Sequence, residues 1–314
     1  MIVQTLDIGL AALVLTLAGW TVLARAAFPA VVSYVTYGLL LSLIWVRLFA
    51  VDVALTEAAI GGGLTGVLLI AAASKRRKSA VLATERDVTP PLRRAIAVLC
   101  ALITSALATV VVSLPDPSPS LAPQAVQNIA ATGLGNPVTA VLIAYRAFDT
   151  MLEKCVLVVA IVGVWSLARD RCWGGAPGAP TVIAQDGALT FFAQLLPPLG
   201  ILIGIRIFWI GADEPGGAFQ GGAILAAMWM IIMMARLADA PAISGRWLRI
   251  ALAAGPIVFL GVGILGFAAA GSFLAYPAGF AKPMIIFVEI FMTLSIAATL
   301  PMLVAGPPIR TPRP

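Results

Sequence analysis

Long apolar blocks separated by shorter polar stretches set the pattern of this chain. The blocks cover approximately residues 8–23, 31–50, 53–73, 95–114, 148–168, 189–210, 221–235, 250–270 and 284–305. A hydrocarbon core of roughly 30 Å needs about 20 predominantly apolar residues per helix, and most blocks reach that length unaided. The pattern predicts an all-α polytopic membrane protein with about nine transmembrane helices.

Two breaks divide the helices into groups of three, two and four. The first, residues 74–94, is a basic connection; the second, residues 169–186, contains the run WGGAPGAP at 173–180 and reads as a flexible connector. Three modules follow: residues 1–94, 95–186 and 187–314. A further Pro- and Ser-rich stretch, residues 115–137, lies outside the membrane in this scheme. No internal repeat of fixed period is visible, which argues against the duplicated halves of many secondary transporters. No connection is long enough to hold a soluble nucleotide-binding or redox domain, so function is expected within the membrane or at its rim.

Charge fixes an orientation. Beginning from Lys75, Arg76, Arg77 and Lys78 and alternating along the helices, fifteen of the 20 basic residues fall on one side. The positive-inside rule makes that side cytoplasmic, with the N-terminus outside and the C-terminus inside. The stretch before the first block has no basic residue and carries Asp7, the reverse of a signal-peptide n-region, so this block is expected to remain as a helix. The net charge of +6 is spread over loops and is not gathered with aromatics on one patch, which speaks for anchoring at lipid and against nucleic acid. Cys100, Cys155 and Cys172 are isolated and the chain has no histidine. No zinc, haem or Cys/His catalytic site is therefore expected, no cofactor, and no metal beyond a transported sodium ion.

Ionisable residues inside the blocks carry the functional argument, because a charge in the bilayer costs several kcal/mol by the lenient scales. In the fifth block only fourteen uncharged residues follow Lys154, so the helix must draw in Asp149, Glu153 and Lys154. On a continuous helix Arg146, Asp149 and Glu153 fall at about 0°, 300° and 340°, one narrow stripe, with Lys154 at about 80°. That stripe serves either as an anchoring ladder of ion pairs or as the wall of a wet cavity. Glu57 lies one turn into the third block, ahead of Gly61, Gly62, Gly63 and Gly66, where a second backbone can approach and the carboxylate can face protein. For Asp52, in the same turn, both a packing and a functional reading stand. Glu289 sits roughly 8 Å inside the last block with no neighbour in sequence to neutralise it, so it holds a proton or pairs with a cation. The acidic residues all fall toward the outer face, together with Arg47, Arg146, Lys154, Arg206 and Lys282, which leaves the inner half comparatively dry. The sixth and seventh blocks are joined by GADEPGGAFQGG at 211–222; Pro215, Gly216, Gly217, Gly221 and Gly222 make it a tight outer turn, with a cavity wall as the other reading.

Three motifs resemble known families. Residues 51–64, VDVALTEAAIGGGL, resemble the D-type module of membrane-bound hydrogenases, which also occurs near the C-terminus of the large A-type protein of Mrp-type multisubunit cation/proton antiporters. Residues 145–153, YRAFDTMLE, are similar to the E-type module that follows it, whose usual form is closer to RGFDTLGE. Residues 215–222, PGGAFQGG, resemble the PGGGFQGG turn of the B-type antiporter component, and Glu289 stands where that component carries an acidic residue in its last helix. Ala147, Leu152 and Ala218 replace glycines of these patterns.

The resemblance implies an accessory subunit of an Mrp-like complex in a bacterial inner membrane. Its expected partners are large antiporter-like subunits related to the pumping subunits of respiratory complex I, with small accessory membrane subunits. Glu57, Asp149, Glu153 and Glu289 become candidate sites of an outer-half sodium or proton pathway, with Arg146 and Lys154 tuning them by opposite-charge pairing. A non-transporting scaffold that couples a pumping partner to another membrane enzyme is the main alternative. A self-sufficient transporter and an intramembrane enzyme rank below it.

Overall fold

The structure is a computed structural model that describes residues 2–80, 89–115, 119–178 and 187–311, without the side chains of residues 2, 3 and 75–80. The basic cluster Lys75–Lys78 and Arg86 used to orient the chain therefore lie outside the described side chains.

Long helices follow one another in the predicted order: α1 (Ile2–Leu23), α2 (Ala27–Arg47), α3 (Val51–Thr56, continuing through Glu57–Leu64 and Thr65–Ala80), α4 (Pro90–Ser113), α5 (Ala147–Ser166), α6 (Ala188–Ile210), α7 (Ala218–Met234), α8 (Arg246–Ala270) and α9 (Ala281–Ala305). Seven of them are long and apolar enough to cross a membrane. The other two are the 17-residue α7 and α5, which carries three charges in its first two turns. The second helix ends three residues before the predicted boundary, because Phe49 takes a left-handed conformation (φ 60°) that turns the chain into α3.

Two stretches depart from α-helical geometry. Glu57–Leu64 is a π-helical insert in α3, and Ala140–Tyr145 is a second one following the short turn Pro137–Thr139. The latter ends at Arg146, whose φ of −121° and ψ of 33° break the helix before α5 begins. Thr150 closes the break by donating its hydroxyl to the freed Leu142 carbonyl at 2.6 Å. The region 115–137 is partly helical as well, with a short helix at Ala122–Asn128.

The core is a packed group of α7, α8 and α9, with α5 and α6 against it. Apolar clusters hold it together, one around Phe259, Ile285 and Val288 and a second around Ile161, Ile243 and Met302. Helices α1 to α3 form a subsidiary block that meets the core through the start of α3 and α7. Helix α4 contributes no buried residue and exposes a row of Leu, Ile and Val side chains. At one end of the bundle lie ion pairs Asp7–Arg47 and Asp213–Lys282; at the other, Arg310 pairs with Asp239 beside the Pro177–Pro308 bridge.

Candidate functional site

The turn between α6 and α7 is the keystone of the first of these ends. Its backbone doubles back on α6, with the Gly217 amide donating to Ile207 O at 3.0 Å. Gly216 and Gly217 adopt φ of 150° and 125°, a region that side chains with a Cβ rarely enter. Neighbours from the other modules grip the turn. Asn136 donates to Glu214 O at 2.9 Å, Thr139 donates to Gly211 O at 2.6 Å, and Asp52 accepts the Gly216 amide at 2.8 Å. Gln220, buried in the first turn of α7, reaches Asp52 O and Thr56 Oγ1 on α3.

This geometry directs the start of α7 at Glu289. The first amides of a helix lack intrahelical partners and carry partial positive charge. No side chain of the helix itself caps α7; Glu289 of α9 does so from across the bundle, its Oε1 accepting the Ala218 amide at 3.4 Å. Glu289 is 3% exposed and Lys154 is 4% exposed. The Lys154 ammonium lies 4.9 Å from the centre of the Phe219 ring, an attraction that offsets part of its desolvation. Among the described residues no direct ion pair joins Lys154 to Glu289; the two face each other across a cavity of about 310 Å³. Thr56, Thr139, Thr150, Glu153, Gly216 and Gln220 complete its polar wall, and Glu153, exposed, stands at its edge. Tyr276, in the connection from α8 to α9, donates to Ile143 O at 3.0 Å behind it. Burial first, and the Glu289 carboxylate second, hold the Tyr276 phenol above its ordinary range, so it stays a neutral donor.

The residues singled out from sequence are distributed as follows. Glu153, Lys154, Glu289, Gly216 and Gly217 line the cavity together. Asp149 does not: it is exposed and held by the Arg146 guanidinium, Nε to Oδ2 at 2.7 Å. Within α5 Asp149 and Glu153 share the exposed face and Lys154 turns inward, while Arg146 stands at the break before the helix and still pairs with Asp149. Glu57 is half-buried at the start of the π-helical insert, folded over Gly61 and against Gly38 of α2, while the adjacent Thr56 meets the cavity. Pro215 is exposed at the tip of the turn. Gly221 and Gly222 act farther along α7, where they admit the backbone of α6 and the Ile296 side chain of α9. Asn136 and Thr139 escape a reading of the sequence, since single polar residues at block edges carry no periodic signal; Gln220 lies within the PGGAFQGG motif but is not singled out by it.

Fold and cavity together define a polytopic helical membrane protein with a buried acid and a buried base at a helix terminus inside the bundle. Three family models match the chain in succession. Residues 12–78 match the MbhD family and residues 92–176 the MbhE family, the D and E subunits of MBH, and residues 188–306 match the domain related to MnhB subunit of Na+/H+ antiporter. The three matches fall in order along the chain, so D-, E- and B-like segments are fused in one polypeptide. It is similar to a chain of the Mrp complex from Dietzia sp. DQ12-45-1b, with 24% identity and a TM-score of 0.73, over 97% of this chain and 35% of that one. A chain of the membrane-bound sulfane sulfur reductase, an archaeal respiratory membrane complex, gives 25% identity and a TM-score of 0.55, over 68% of this chain and 97% of that one. An uncharacterised protein of Methanocaldococcus jannaschii is 29% identical over 154 residues, 44% of this chain and 59% of its own length. The chain thus spans less than two thirds of that relative and of the Mrp chain.

Proposed function

We propose that the chain is an accessory subunit of an Mrp-like cation/proton antiporter in a bacterial inner membrane, and that its cavity forms the outer-half section of an ion pathway. In this reading the N-terminus is outside and the C-terminus inside, and residues 1–94, 95–186 and 187–314 act as the D-, E- and B-like modules. Glu153 receives the ion at the edge, Lys154 and Glu289 handle it inside, and Asp149 with Arg146 lies on the approach. Glu57 stands behind Thr56, outside the cavity, and is left out of the route. Large antiporter-like subunits supply the remainder of the path and small accessory membrane subunits complete the assembly; the chain itself performs no catalysis.

One observation carries the reading: one cavity draws lining residues from all three modules and encloses a buried carboxylate and a buried ammonium within a largely apolar wall. An intramembrane ionisable group that faces a cavity is by default read as part of an ion or substrate route. Replacing Glu153 or Glu289 by Gln is expected to lower cation/proton exchange at least tenfold in inverted vesicles, with normal yield of the assembled complex. Undiminished exchange in both variants would favour the scaffold, in which these carboxylates only hold helices together.

A further inference from the structure

We infer that the chamber around Glu289 is a proton-binding site closed to bare sodium; this rests on the pathway reading and names the ion for its innermost section. A dehydrated alkali cation needs several oxygen atoms turned toward it, typically carbonyls released from unwound backbone or helix C-termini, whereas helix N-termini face anions. The groups turned toward Glu289 are of the second kind. They are the Ala218 amide, the Gly217 backbone at the start of α7, and the Lys154 ammonium that shares its cavity.

Backbone carbonyls in and beside the cavity each already accept a hydrogen bond. Gly211 O accepts from Thr139 at 2.6 Å and from Asn136 at 3.3 Å. Leu142 O accepts from Thr150 at 2.6 Å and Ile143 O from Tyr276 at 3.0 Å. Asp52 O accepts from Thr56 at 2.9 Å, and Glu289 O from Thr293 at 2.7 Å. A second cation beside Lys154 would also meet like charge in a buried setting.

A proton makes no such demand, since it needs one lone pair of one carboxylate oxygen. On uptake a hydronium ion gives its proton to Glu289, an O–H bond forms and a water molecule remains; release is the reverse. At about 30 Å³ per water, the cavity of about 310 Å³ has room for the water through which that proton would arrive. Other titratable groups set the field around the carboxylate: Lys154 and Glu153 on α5, Tyr276 before α9, and Asp52 on α3 across the Gly216 turn. Arg206 of α6 is exposed, and α8 carries Arg246 and Arg249 at the far end of the bundle.

Infrared difference spectroscopy of the assembled complex, wild type against Glu289→Gln, tests this directly. A protonated-carboxyl band present in the wild type and lost in the variant is expected to titrate with pH, with the same midpoint in sodium and in potassium. A midpoint that falls as sodium rises, saturably and only in the wild type, would show sodium competing for the carboxylate and overturn the inference. Absence of any such band across the whole range of pH in which the complex is active would overturn it as well, because a carboxyl that never takes a proton passes none. Normal exchange by the variant overturns the pathway reading instead, whatever the band does.

Discussion

Asp52 accepts the Gly216 amide at 2.8 Å while being 7% exposed, so one side chain of α3 fixes the backbone that presents α7 to Glu289. Removing it strands a buried N–H, which costs about 1–3 kcal/mol. Asp52→Ala is therefore expected to lower the thermal midpoint of the detergent-purified protein clearly, whereas Asp52→Asn keeps an oxygen acceptor and loses much less. From sequence this residue can be read as packing or as function, because the partner that decides is 164 positions away. The same holds for Lys154. Periodicity sets it apart from Asp149 and Glu153, whose stripe is the stronger signal; the packing of α5 against α8 and α9 makes the stripe the exposed face and Lys154 the buried group. Glu289 is legible as a lone carboxylate in an apolar run, but the amide that it accepts belongs to another helix.

At the scale of elements, small residues decide how closely helices approach. A Cβ added at Gly222 of α7 would lie 2.9 Å from the Ile296 Cβ of α9, and nothing lies within 4 Å of one added at Gly261 on the exposed face of α8. Gly222→Ala should accordingly cost about 1–3 kcal/mol through overpacking. Gly261→Ala should stay within about 1 kcal/mol of wild type, since only helix propensity changes. Denaturant or thermal unfolding of the two variants in the same detergent checks the contrast. The π-helical inserts Glu57–Leu64 and Ala140–Tyr145 flank the cavity, as such segments often do at functional sites. Neither is legible in the sequence, because an insert of this kind changes register by one residue without altering hydrophobicity.

For the whole molecule, orientation can be tested with cysteines placed at the two ends of the bundle in a background lacking Cys100, Cys155 and Cys172. Ser272 lies exposed between α8 and α9 at the end that holds Lys282, and Ser244 lies exposed at the opposite end, its amide donating to Gly174 O. A membrane-impermeant thiol reagent applied to intact cells is expected to label Ser272→Cys and spare Ser244→Cys; the reverse pattern would invert the topology. Sequence alone determined the solvent and the helix order, because a bilayer imposes its thickness on every apolar run and each run reports that locally. The tertiary structure alone decided which charges meet. A buried carboxylate, an ammonium and a helix start come together from residues 154, 218 and 289, and no local rule of spacing links positions that far apart.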